Sequence, residues 1–270
     1  MGKLIDLEDE QIVNPVDRGA GVDERIRQLQ KLSEENEPKV KEFLERIDQK
    51  YGTASKTSHK EARKIAEKAS RQTIRNLKPW HDVEHIRDSF RFKTVVNNIE
   101  DLPKIAQDLK ETGFEVIKTD TDKVLAPGFW GWRIAAFDLK MPNGQLVEYY
   151  LPVKEMEEAK KDGNHELFEK WRNVDVEKLS IEQQRQFLED ADASNEKYDN
   201  AWSDYLSRTK QQPERVKEAL EKTEAVFAKE KVPVREELPK GPESKQPQPK
   251  RLIEKLRQIK DKMKEDDLLR

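Results

Sequence analysis

The sequence contains no cysteine, which excludes a disulfide framework, a thiol nucleophile and cysteine-ligated zinc or iron–sulfur centres. Its four histidines are scattered, which argues against a histidine-built metal site. No apolar run approaches the ~20 residues that span a bilayer, and the opening Met1-Gly2-Lys3-Leu4-Ile5-Asp6-Leu7 has no hydrophobic signal core. The expectation is a soluble, cytoplasmic protein with no membrane partner. Apolar residues are scarce too, at 34% of 270 positions against 40% charged. That is a lean supply for one globular domain, so part of the chain is expected outside any core. Lys and Arg (52) nearly cancel Asp and Glu (55), leaving a net charge of -3. Any basic surface must therefore be local.

What is present divides the chain. Residues 1–22 are polar, hold Pro15 and show no sustained period, as expected of a flexible arm. Ile26, Leu29 and Leu32, then Val40, Phe43, Leu44 and Ile47, recur at helical spacing around Pro38, predicting a helical hairpin or one kinked helix. After Gly52 a second amphipathic segment sets Ala62, Ile65, Ala66 and Ala69 against Lys60, Lys64, Lys68, Arg71 and Arg75. The middle changes character. Phe90 to Val96 reads as a strand, Asp101 to Gly113 as a helix and Phe114 to Lys118 as a strand. Arg133–Met141 and Gln145–Leu151 form a hairpin about Pro142-Asn143-Gly144, with Asn-Gly supplying positive φ angles. This order predicts an α+β sheet domain. Helical patterning returns afterwards, first with Leu167, Phe168 and Trp171 around His165, then thinly from 176 to 231 as accessory helices lying on the core or on a partner. Five prolines mark 232–250 as a linker, and 251–270 reads as a charged amphipathic tail helix. The sheet domain is thus expected to span 23–175.

Two strings carry chemistry. In the run from Asp82 to Val96, Asp88 stands at the mouth of a strand, flanked by Arg87, Arg91 and Lys93. Hard oxygen beside cations is what a magnesium–nucleotide site requires, and it also describes a surface ion-pair cluster. On the second hairpin strand, Glu148 shares a face with Leu146 and Tyr150, opposite Val147 and Tyr149. A mid-strand carboxylate is costly to bury unpaired, and a metal or a proton-transfer partner would explain it. Other residues keep two readings. The face from Lys60 to Arg75 is a phosphate grip or a solvated helix surface; Trp130 and Trp132 are a stacking platform or core anchors. Asp138 is a third acidic ligand or an exposed strand residue, and His165 a catalyst or a packing residue near Trp171.

In order, Arg87-Asp88-Ser89-Phe90-Arg91, Gly131-Trp132-Arg133, Pro142-Asn143-Gly144, Glu148 and His165-Glu166-Leu167-Phe168-Glu169 make the stretch from about Lys56 to Arg172 resemble the synthetase domain of the RelA/SpoT family. In detail it is more similar to divergent members carried by phages, mobile elements and toxin-like proteins. The resemblance implies a mixed β-sheet nucleotidyltransferase-like core flanked by helices, with helical N- and C-terminal extensions. It implies transfer of pyrophosphate from ATP to the 3′-hydroxyl of a nucleotide or RNA, with Mg²⁺ as cofactor. Asp88 and Glu148 would hold the metal, and Glu148 would share it or act as base. Lys56, Lys60, Arg87, Arg91, Lys93 and Arg133 would hold ATP, Trp132 would stack on the acceptor base, and His165 belongs to the last motif. The sequence departs from the family's pattern at Lys93, where an arginine stands; at Ala136, where a histidine stands; and at Tyr150, where a glutamine stands. Three functions follow: a transferase, a degenerate domain serving as a binding scaffold, and a toxin whose C-terminal helices dock a protein partner.

Overall fold

The computed structural model describes residues 10–228. The expected linker at 232–250, the tail helix at 251–270 and the first nine residues of the arm lie outside the described residues.

Residues 22–51 form a single helix, α1 (Val22–Tyr51), with Pro38 inside it. Proline removes one ladder hydrogen bond. The helix continues because Ile26, Leu29, Val40, Phe43, Leu44 and Ile47 form a buried stripe along its length. Gly52 ends it at φ 61°, its N–H donating to the Asp48 carbonyl. The chain next enters a strand that periodicity does not predict, β1 (Ala54–His59), followed by α2 (Ala62–Ser70) and α3 (Gln72–Arg75). Ala-Ser-Lys-Thr-Ser-His has no apolar alternation. Pairing with β2 (Phe90–Val95) makes it an edge strand.

After α4 (Leu102–Lys110) come β3 (Glu115–Asp120), β4 (Ala135–Lys140) and β5 (Leu146–Leu151). The sheet order is β1-β2-β5-β4-β3, parallel between β2 and β5 and antiparallel elsewhere. The α+β mixed sheet is as expected, with five strands where the sequence predicts four. In the hairpin turn, Gly144 alone has positive φ (84°) and Asn143 does not. Asn143 serves instead to accept from the Asn36 amide and donate to the Leu32 carbonyl, fastening the turn to α1.

One sheet face is closed. Phe90, Phe92, Phe137, Leu139, Val147 and Tyr149 share a core with α1 and α4. Phe43 meets Phe92, Phe114 and Tyr149 edge-on at 6.5, 6.2 and 5.8 Å. The buried Tyr149 hydroxyl pairs with Thr94, which pairs with Ser55, which donates to Asp48. The remaining helices are α5 (Lys154–Ala159), α6 (His165–Trp171), α7 (Ile181–Thr209) and α8 (Pro213–Phe227). Tyr198, Ala201 and Tyr205 of α7 and Val216, Leu220 and Phe227 of α8 complete the same core, and Phe227 meets Phe137 at 5.5 Å. Of the two places open to these helices, they take the core. The described part of the expected arm is anchored as well. Asn14 donates to the Glu84 and Ile86 carbonyls and accepts from the Leu146 N–H, and Val16 packs on Ile26 and Ile65.

Candidate functional site

The other face of the sheet is polar, and strand register lays it out as a grid. Lys56, Lys93, Tyr150 and Ala136 form one row across β1, β2, β5 and β4; Ser58, Arg91, Glu148 and Asp138 form the next. Neighbours in a row stand roughly 4.8 Å apart by strand spacing, so a ligand lying across this face meets cations and carboxylates within a few ångströms.

At the mouth of β2, Asp88 is buried and both its oxygens are taken. Lys60 Nζ lies 2.6 Å from Oδ2, and Lys68 Nζ lies 2.7 Å from Oδ1. Lys60 is placed by its own backbone, whose N–H donates to the Ser89 carbonyl where β1 ends against β2. Lys68 comes from α2, seated by buried Ile65 and Ala69. Burial works to raise the Asp88 pKa, but Lys68 and Lys60 prevail and hold it at about 2. Glu148 moves the other way, pushed up by burial and then by the Asp88 charge. The Tyr150 hydroxyl donates to Glu148, and Arg87 pairs with Asp138.

The donor set suits a hard cation. Asp88 raises the Glu148 pKa through space, a repulsion that a divalent ion would relieve. Mg²⁺ characteristically takes one or two protein carboxylates together with substrate phosphates. Among the described residues no group of three or more Asp, Glu or His forms a cage of its own. Lys60 and Lys68 must yield Asp88 for an ion to enter.

Beside the carboxylates lies a cavity of about 350 Å³ whose walls include Lys56, Arg91, Lys93, Lys160, Lys161, Glu157 and His165. Lys93 pairs with buried Glu157. Lys56, Arg91 and Lys161 have no ion-pair partner among the described residues, leaving the cavity positive. Lys160 and Lys161 enter from a π-type turn, Lys160–Asn164, that joins α5 to α6 through Gly163 at φ 86°. Lys197 of α7 holds this turn at the Asp162 carbonyl. Burial, then Lys93, Arg91 and Lys56, lower the Lys160 pKa to about 8.

Lys56, Arg91, Lys93 and His165 thus meet at one cavity, and Lys60 and Arg87 stand at the carboxylates. Trp132 lies 6.0 Å from Tyr150, and Lys160 Nζ already lies 4.4 Å from its ring centroid. Arg133 is elsewhere. It donates to the Val124 and Leu125 carbonyls and pairs with Asp199, with its guanidinium over Trp202. A side chain so engaged clamps the 124–133 loop to α7, and it lines neither of the two cavities beside the carboxylates. Trp130 packs with Phe187 and Phe168 and is a core anchor. Lys160, Lys161, Trp80 and His81 sit in helix ends and loops without period, where residue spacing carries no signal. The string Trp80-His81 and His85, shortly before Asp88, was the available signal. These three line a second cavity of about 260 Å³, shared with Glu148, Asp138, Lys68 and Lys118.

No family model matches the chain, and no curated protein does. Solved structures do. Small alarmone synthetase 2 from Bacillus subtilis is 16% identical, over 68% of this chain and 97% of that one, with a TM-score of 0.49. Small alarmone synthetase 1 from Bacillus subtilis, bound to its product pppGpp, is 16% identical over 68% and 95%, with a TM-score of 0.45. The Type VI effector Tas1, in complex with its immunity protein, is 16% identical over 66% and 96%, with a TM-score of 0.47.

Proposed function

We propose that the chain is a Mg²⁺-dependent pyrophosphokinase that moves the β,γ-pyrophosphate of ATP to a 3′-hydroxyl of a nucleotide or RNA. The observation that carries this reading is the adjacency, on one open sheet face, of a cavity rich in unpaired cations and a pair of electrostatically linked carboxylates, Asp88 and Glu148. Displacement at phosphorus asks mainly for positioning and charge neutralisation. Lys56, Arg91, Lys160 and Lys161 neutralise the triphosphate. Glu148, its pKa raised by burial and by the Asp88 charge, is suited to take the proton from the attacking hydroxyl. A magnesium ion on Asp88 and Glu148 would supply further charge neutralisation at the transferred group. Lys60 and Lys68, released from Asp88, would add two further cations beside the carboxylates.

Purified protein incubated with γ-labelled ATP, Mg²⁺ and a panel of GDP, GTP, ATP and tRNA tests the reading. Label should pass to an acceptor. No labelled acceptor with wild type, or equal transfer by Glu148→Gln, would sink it.

One observation favours a second reading, a domain that binds nucleotide without turnover: both Asp88 oxygens are held by lysines and Glu148 by Tyr150. Binding of an ATP analogue without labelled product from any acceptor is its outcome.

A further inference from the structure

Both oxygens of the proposed metal ligand Asp88 are held by ammonium groups, and one of these groups acts on its partner carboxylate as well. Lys68 Nζ lies 2.7 Å from Asp88 Oδ1. Burial and then the Asp88 charge push the Glu148 pKa up, and Lys68 is the strongest influence opposing them. A single ammonium thus offsets the charge of two neighbouring carboxylates, which is the electrostatic role a divalent ion would take over. The two cations compete for it, because like charges a few ångströms apart in a partly buried site repel strongly.

The two lysines on Asp88 are not equivalent. Lys60 follows directly on β1, and its own N–H is fixed to the Ser89 carbonyl. Lys68 projects from α2, is the more exposed of the two, and forms part of the wall of the second cavity. That wall also holds Lys78, Lys118, Glu148 and the Arg87–Asp138 ion pair. With the ion pair set aside, Lys68, Lys78 and Lys118 stand against Glu148, an excess of positive charge that favours an anion. An oxyanion seated there offers the Lys68 ammonium a second partner. Lysine's flexible four-carbon stem lets the ammonium swing toward it without displacing the helix.

We infer that Lys68 is a displaceable lock on the metal site: it holds an Asp88 oxygen until an oxyanion of the phosphate class, entering the second cavity, draws it away. Metal and oxyanion are thereby coupled, and by linkage each binds more tightly when the other is present. The lock rests on the proposed metal site of Asp88 and Glu148. What it adds is a reason for the site to stay closed to metal until a phosphate-bearing ligand has arrived.

Binding of Mn²⁺ to the full chain, read from the loss of its free-ion electron paramagnetic resonance signal, tests the lock without turnover. Lys68→Met keeps the stem, removes the charge and should tighten Mn²⁺ about tenfold or more. Adding Glu148→Gln to that variant should erase the gain, which locates the ion at the carboxylates. Lys68→Arg, still able to pair with Asp88, should bind Mn²⁺ like wild type. Lys118→Met takes a cation from the same cavity wall but none from Asp88, and should change the affinity far less. In wild type, sulfate should tighten Mn²⁺ relative to chloride at equal ionic strength; in Lys68→Met the two salts should act alike. The lock is overturned if Lys68→Met binds Mn²⁺ no more tightly than wild type, or if Lys68→Arg or Lys118→Met tightens it equally. It is overturned too if the gain survives Glu148→Gln, if sulfate acts on wild type as chloride does, or if neither protein binds Mn²⁺. Lock and transfer can fail separately. Label passed to an acceptor, with Mn²⁺ affinity unaltered in Lys68→Met, removes the lock and leaves the transfer. A lock seen in Mn²⁺ binding, with no labelled product from any acceptor, does the reverse.

Discussion

Asp88 joins two lysines from different elements at 2.6 and 2.7 Å, so its charge serves both the site and the fold. Asp88→Asn strands two half-buried ammonium groups, and loss of one partner from a fully buried cluster costs about 3–5 kcal/mol, an upper bound here. The variant should melt well below wild type and, in the transfer assay, lose about two orders of magnitude or more. Glu148→Gln should lose transfer comparably while keeping its melting temperature, since Tyr150 can donate to the amide oxygen; parallel melts and assays separate the two roles. Lys160 brings a pH dependence. With its pKa lowered to about 8 by burial and neighbouring cations, it is charged below that value and neutral above it. Affinity for an ATP analogue should therefore fall as pH rises from 7 to 9. In Lys160→Arg the affinity should stay flat over that interval, because a guanidinium remains protonated there.

At the scale of elements, α1 is the spine against which the sheet's closed face is built. Phe43 touches three aromatic rings at once, and Phe43→Ala should cost about 3–5 kcal/mol in denaturant unfolding. Helix α8 stands in the same core through Val216, Leu220 and Phe227. Ending the chain after Thr209 should uncover Phe137 and yield aggregated or unfolded protein, read by circular dichroism and gel filtration. Retention of a sharp melting transition would show α8 to be dispensable. Helix propensity and period made these helices visible from residue spacing. Which surface they cover was not visible, because a sparse apolar stripe fits a core or a partner equally well. Strand β1 was hidden for a related reason. An edge strand of Ser, Thr and Lys is stabilised by its ladder to β2, and a ladder leaves no trace in local composition.

Over the whole molecule, a net charge of -3 conceals a face where Lys56, Arg91, Lys160 and Lys161 gather. The resemblance to toxin-like members supplies a cellular prediction. Tightly controlled expression in bacteria should arrest growth if the proposed transfer depletes an essential acceptor, and Glu148→Gln should abolish the arrest. Unimpaired growth with wild type, at matched protein levels, would set the toxin reading aside.

By itself the sequence determined the α+β order of elements, the hairpin about Pro142-Asn143-Gly144, and the placing of Asp88 at the mouth of one strand and Glu148 within another, because period and turn chemistry are local properties. Lys68 seated on Asp88, Arg133 turned away to α7, and Lys160 and His81 brought to the two cavities were decided only by tertiary structure. Each depends on which elements pack together, and that follows from burying an apolar surface dispersed over the described chain, from Val16 to Phe227. The scarcity of apolar residues is thus met by drawing on helices far along the chain, and the same packing gathers distant charges onto the one sheet face left open.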